Sequence, residues 1–214
     1  REPITVGEGT IEAVNDFIYL GSKMQADGDS EPDIKRRISK ASQAFSMLKN
    51  VWKSKKLSHN TKIRIFKSNV LSVLLYGCES WKITTTISRL LEVFQNRCLR
   101  RILKIYWPNT ISNVELHRKT STSPIMSVIK WRRWTWIGHV IRMPPNAIPK
   151  IAIRWTPNAG RRKRGRPKET WRRSVEREMK DNGLTWAQVE HLACNRSGWR
   201  SLVSALCATG HEED

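Results

Sequence analysis

Residues 160–171 read GRRKRGRPKETW and place six lysines and arginines in their first nine positions. Side chains of that charge and density have no use in an apolar core, so the stretch is suited to meet a polyanion. Within it Arg164, Gly165, Arg166, Pro167 and Lys168 supply the parts that a narrow A·T minor groove accepts. Proline holds the backbone extended, glycine brings no Cβ to the groove floor, and guanidinium groups run along it on either side. Two other readings stay open. Arg161, Arg162, Lys163 and their neighbours can touch phosphates without choosing among sequences, and the run can serve as a nuclear-import address.

A second mixture, KWRRWTW at 130–136, interleaves Trp131, Trp134 and Trp136 with Lys130, Arg132 and Arg133. An indole beside a cation can stack a base or a sugar. On a helix Trp136 continues the line of Ile125 and Ile129 toward Val140 and reads as core. Trp131 and Trp134 lie one turn apart on another side, where packing and nucleic-acid contact both remain open. Two further helical faces carry Arg36, Arg37 and Lys40, and Arg97, Arg100 and Arg101. Cations in such rows suit a duplex backbone, which positions a protein without reading sequence.

Metal and covalent chemistry have less support. His191, Cys194, Cys207 and His211 form two pairs at spacings tetrahedral zinc accepts. Leu202, Val203 and Leu206 nevertheless make Cys207 read as a core position, so buried thiols are favoured and no metal or other cofactor is expected. The chain has no HExxH, no GxSxG and no GxxxxGK[ST]. It also lacks the pair of aspartates in an apolar strand that holds two Mg²⁺ for nucleotidyl transfer. By itself it is expected not to be an enzyme.

The elements that must carry these residues are mostly helical. Residues 10–28 alternate and break at Gly21 and at Asp27-Gly28, which predicts a small strand pair. Ser30 and Pro32 open a helix whose inward line is Ile34, Ile38, Ala41, Phe45, Leu48 and Trp52, with Lys35, Arg36, Arg37, Lys40 and Lys49 outward. Ser58 caps a second helix through Ile63, Phe66, Val70, Leu74 and Leu75 to about residue 81. A third, near 87–105, turns Leu90, Leu91, Phe94, Cys98, Ile102 and Ile105 inward and Arg97, Arg100, Arg101 and Lys104 outward. Ser123-Pro124 opens a fourth, to about residue 143. Pro144, Pro145 and Pro149 then mark a basic linker over 144–168. A last unit, 169–214, has a helix near 170–182 ended by Gly183, a Thr185 cap, and Trp171, Trp186 and Trp199 as its small core. The fold class is mainly α, divided as 1–28 strand pair, 29–143 helical bundle, 144–168 linker and 169–214 Trp-rich helical unit.

Charge is unevenly spread, and its local excess reads as a site. The 39 Lys+Arg against 19 Asp+Glu leave +20, and residues 130–180 hold 16 basic and three acidic residues, so 13 of the 20 net charges lie in that quarter. No run approaches the roughly 18 apolar residues of a membrane span, so no membrane partner is expected. Hydrophobic content of 39% is low for one compact domain. The chain opens on Arg1 without an initiator methionine or signal-peptide core and reads as a piece of something longer. Four cysteines, widely spaced and without CxxC, make a disulfide framework unexpected and an intracellular place the default; the expected compartments are nucleus and cytoplasm.

In this order the segments DFIYLGSKMQADGDSEPDIKRRISKASQAFSML, KSNVLSVLLYGCESW, LEVFQNRCLRRIL, WRRWTWIGHVIRM and GRRKRGRPKETWRRSVEREM carry a resemblance. They look like the C-terminal region of a non-LTR (LINE-type, RTE-like) retrotransposon reverse transcriptase. The likeness runs from about Val14 to Leu206. It implies that Tyr19, Leu20 and Gly21 leave the polymerase palm after its primer-gripping hairpin, and that the following helices resemble the thumb, which holds template and primer. The palm, with its metal-binding aspartates and YxDD-type motif, is not in this sequence, so Mg²⁺ would belong to that missing partner.

The region after the thumb, including RGRPK, which matches the core of the AT-hook peptide, would engage element RNA or target DNA. One departure is Asn195 before Arg196, where related sequences tend to carry an acidic residue. The expected function is therefore nucleic-acid binding, to RNA, DNA or their hybrid, by a non-catalytic part of an RNA-directed DNA polymerase. The alternatives are a domesticated AT-hook-like chromatin or protein-interaction module and a decayed copy without function.

Overall fold

A computed structural model of the chain describes residues 4–6, 9–11, 14–25, 28–155 and 170–208. The N-terminal alternation yields two hairpins where the sequence predicts one strand pair. β1 (Ile4–Val6) pairs antiparallel with β2 (Gly9–Ile11), and β3 (Asp16–Tyr19) with β4 (Ser22–Gln25), Tyr19 opposite Ser22. The β3–β4 turn is Leu20-Gly21, with φ of 46° and 81°, the backbone hand that matches strand twist. Gly28, one half of the other expected break, follows β4 at φ 71° and donates its N–H to Gln25 O at 3.0 Å.

The mainly α remainder starts with α1 (Glu31–Met47), which has Pro32 in its first turn, where a missing N–H costs little. The Ser30 hydroxyl does not cap it. That hydroxyl donates to Lys82 O at 3.2 Å and accepts the Lys82 N–H at 3.0 Å, tying the helix start to a segment 52 residues on. Arg37 is a correction to the outward set: it is 5% exposed. Its Nε lies 3.1 Å from Asp33, and a terminal nitrogen donates to Gly21 O and to Ser22 Oγ at 2.7 Å. Asp33 accepts the Lys23 N–H at 2.8 Å. A buried charge with counter-ion and hydrogen bonds in place thus clamps the β3–β4 hairpin onto α1.

Ile34, Ala41, Phe45 and Trp52 are buried as their spacing predicts. Trp52, on α2 (Lys49–Lys53), stacks on Phe45 at 4.9 Å between ring centroids and donates its indole N–H to Phe45 O at 2.7 Å. Ser58 caps α3 (His59–Ile65), accepting the Thr61 N–H at 3.1 Å. The single helix predicted to residue 81 is divided: a π-helical turn, Phe66–Leu71, leads into α4 (Ser72–Leu74), and Gly77 at φ 73° ends the run. Its inward residues Ile63, Phe66, Val70, Leu74 and Leu75 are buried all the same. On α5 (Thr85–Leu103) the inward line is Leu91, Phe94, Cys98, Leu99 and Ile102, while Leu90 faces outward at 38% exposure.

α6 (Asn113–Thr120) leads to α7 (Ile125–Ile141), whose start is held by buried Gln95 of α5. Gln95 Oε1 accepts the Ile125 N–H at 2.8 Å and its Nε2 donates to Ser123 O at 2.9 Å. α7 spans two cores. Ile125 and Ile129 close the first, and Trp134, Ile137, Val140 and Ile141 form the spine of the second. The second is completed by α8 (Ile148–Arg154), α9 (Trp171–Asp181), α10 (Trp186–Cys194) and α11 (Arg196–Ala208). The proline-marked stretch therefore contains a helix, and Pro149 sits in its first turn.

The C-terminal helices share their core with α7. Trp199 is buried, but Trp171 and Trp186 pack at its edge, and the fully buried tryptophan is Trp134. Trp136, assigned to core, is half-buried and meets Trp171 edge-on at 6.0 Å. Trp199 lies against the backbone of Gly138, where any Cβ would fall within its ring, and donates Nε1–H to Trp134 O at 3.1 Å. Asn195 caps α11, its Oδ1 accepting the Ser197 and Gly198 N–H groups, both at 3.1 Å. An acidic side chain there would accept the same bonds.

Candidate nucleic-acid interface

The C-terminal end of α5 carries a cluster of basic residues that lines two adjoining clefts. The larger, of about 620 Å³, is lined by Asn96, Arg97, Arg100, Arg101, Tyr106 and Trp107 with Val93, Ile105 and Asn113. The smaller, of about 320 Å³, is lined by Lys49, Lys53, Arg101, Lys104 and Tyr106 with Phe45, Ser46 and Trp52. Arg101 and Tyr106 belong to both. Six cations thus line two neighbouring clefts, and neither cleft has an acidic residue in its described lining. Low-dielectric walls lined by one sign of charge focus field and attract a polyanion.

Local structure puts these groups in place. The α5 periodicity buries Phe94, Cys98 and Ile102, and the same 3.6-residue turn leaves Arg97 and Arg101 on the solvent side. Lys104 ends the helix in the left-handed conformation at φ 59°, with its N–H on Arg101 O and the Ile105 N–H on Arg100 O at 2.9 Å. Arg100 then pins the returning loop, donating to Ile111 O at 3.2 Å and Asn113 Oδ1 at 2.8 Å. The loop so held presents Tyr106 and Trp107, the latter 88% exposed.

Of the arginines singled out in the sequence, Arg97, Arg100 and Arg101 come together here. Arg36 and Lys40 line neither cleft: Lys40 is exposed, and Arg36 is half-buried with one guanidinium nitrogen lacking a partner. Arg37 is withdrawn into its ion pair. Arg133 is a second correction: it is 2% exposed and bonds Glu178 at 2.7 Å, while the Trp134 indole donates to the other Glu178 oxygen at 2.6 Å. Arg132 is half-buried and donates to Leu75 O at 2.9 Å. Arg161, Arg162, Lys163, Arg164, Gly165, Arg166, Pro167 and Lys168 lie outside the described residues.

Sequence reasoning missed Asn96, Lys53, Tyr106 and Trp107. The available signal was the dipeptide Tyr106-Trp107, bounded by Pro108, just beyond a basic helix end.

Burial pushes the Cys78 and Cys98 thiols up to about 12, and it raises Cys207 as well. Cys194 is exposed and donates to Glu190 O at 3.4 Å. His211 lies outside the described residues. Among the described residues no group of three His, Cys, Asp or Glu is placed to hold a metal. None of their helices is long and apolar enough to cross a membrane.

The family model of a domain of unknown function (DUF6451) matches residues 44–76, from the end of α1 to the turn after α4. An uncharacterized transposon-derived protein of Caenorhabditis elegans is 28% identical over 204 residues, covering 90% of this chain and 71% of the relative. No solved structure matches the chain. The mainly α fold is thus joined to a sequence similarity that supports a transposon-related origin.

Proposed function

We propose that the chain is a nucleic-acid-binding, non-catalytic part of a non-LTR, RTE-like reverse transcriptase. It grips template and primer, element RNA or target DNA by backbone contacts. The observation that carries this reading is the pair of acid-free clefts at the end of α5, lined by Lys49, Lys53 and Lys104 on one side and Arg97 and Arg100 on the other, with Arg101 in both. The transposon-derived relative supports a transposable-element origin, and the thumb-like resemblance of the sequence is what suggests the polymerase context. The palm is the protein partner, and it supplies the Mg²⁺ and the carboxylates for polymerisation. The chain itself needs no cofactor and works inside the cell.

Phosphate contacts of this kind release counterions, so affinity falls steeply with salt. The test is anisotropy binding of the full chain to A·T-rich DNA, G·C-rich DNA, RNA·DNA hybrid and single-stranded RNA across a salt series. The reading expects binding to all four and a salt slope shallower by about 2 when Arg97 and Arg101 are both changed to alanine. Absence of binding, or a slope indifferent to that change, overturns it. The same series with Arg166→Ala decides the second reading, which the RGRPK sequence favours. Loss of an A·T preference in that variant alone would assign sequence choice to the minor groove.

A further inference from the structure

We propose that the larger cleft holds an unpaired nucleobase stacked on Trp107, with Tyr106 and the amide donors of Asn96 beside it. The cleft would then be a site for single-stranded nucleic acid or a frayed end and not only a clamp on duplex phosphates. This rests on the nucleic-acid reading above and deepens it.

Three independent features meet there. Trp107 is 88% exposed and Tyr106 59% exposed, in a loop that Arg100 anchors through Ile111 O and Asn113 Oδ1. A large aromatic surface left in water on a fixed loop is a platform waiting for a flat apolar partner. Beside it stand Arg97 and Arg101, without ion-pair partners among the described residues, so a chain entering the cleft would have its phosphates neutralised as its base stacks. Behind them lies Asn96, only 8% exposed and lining the cleft, with its side-chain oxygen buried and without a hydrogen-bond partner. Such a group is exceptional inside a protein. With that oxygen enclosed, the donors of the carboxamide are what Asn96 can offer to a base edge.

A duplex satisfies little of this. Its bases already stack on each other and present only their edges, so the ring faces of Tyr106 and Trp107 would gain no partner. An acidic peptide would meet the cations but would leave the aromatic platform and Asn96 unmatched. The volume of about 620 Å³ gives room for a base with its sugar and phosphate.

The experiment compares the full chain on a fluorescein-labelled single-stranded oligonucleotide and a blunt duplex of equal length. A second single strand carries 2-aminopurine, whose emission falls on stacking. Trp107→Ala, at an exposed position, is expected to lower the ratio of single-strand to duplex affinity by roughly tenfold or more and to abolish the 2-aminopurine quench. Trp107→Phe, which keeps a ring, is expected to restore most of both. The double change Arg97→Ala, Arg101→Ala is expected to weaken both substrates and keep their ratio. An unchanged ratio and quench in Trp107→Ala, with the double change still weakening both substrates, overturns the base site and leaves the phosphate clamp standing. A double change that weakens neither substrate overturns both.

Discussion

The helices α5 and α7 spell nearly the same basic pattern, RCLRR at 97–101 and WRRW at 131–134, and use it in opposite ways. On α5 one side is buried against the first core and the other meets water, so Arg97 and Arg101 keep their charge for a ligand. α7 is enclosed on more sides, by the first core at its start and by α9 and α11 further along. Its arginines become internal fasteners, Arg132 on Leu75 O and Arg133 on Glu178. A basic motif on a helix is therefore available to a ligand only where the second face of that helix has no neighbour. A buried counter-ion removes the same residue from the interface.

The contrast can be broken most severely at Arg133. Arg133→Ala leaves Glu178 without its cation and with only the Trp134 indole N–H and solvent to meet its charge, and about 3 kcal/mol should be lost in urea denaturation, the lower end of the range because Glu178 is 22% exposed. A loss below about 0.5 kcal/mol would return Arg133 to the solvent-facing set. Gly138→Ala should cost about 1–3 kcal/mol, since its Cβ must displace Trp199 from the second core. A far-UV and near-UV circular dichroism melt identical to the parent chain would show that Trp199 does not pack there.

Arg132→Ala removes one charge-assisted bond at a half-buried position, and about 1 kcal/mol is expected in the same denaturation. The smallest effect sharpens the comparison of cores. Because burial raises Cys78 and Cys98 to about 12, both stay protonated at pH 8. A thiol reagent at that pH should therefore modify Cys194 at once and these two only on unfolding. Rapid reaction of Cys98 in the native chain would contradict the packing of α5.

Much of this fold is legible as periodicity. The inward lines of α1 and α5, the Ser58 and Thr185 caps and the stop at Gly183 follow from local rules. The division of residues 58–81 into α and π turns does not, because the inward residues keep a helical spacing throughout. The sharing of α7 between two cores was also hidden. Trp134 and Trp136 are equivalent by composition, and only the arrival of Glu178 and Trp199, 44 and 65 residues later, makes Trp134 the buried one.

In the candidate site Arg97 and Arg101 were readable from their helix face. Arg37 was misread despite Asp33 one turn earlier, a spacing that suits an ion pair. Tyr106 and Trp107 lie in a loop, where periodicity has nothing to say. The RGRPK stretch, the most conspicuous motif of the sequence, lies outside the described residues.

The central claim is that the α5 arginines, and not those of α7, meet nucleic acid. Its most direct test is a salt series of binding to one RNA·DNA hybrid by the parent chain, by the double variant Arg97→Ala, Arg101→Ala, and by Arg132→Ala. The expected result is a slope reduced by about 2 in the α5 variant and unaltered in Arg132→Ala. An unaltered slope in the α5 variant, or an equal reduction in both, would contradict it.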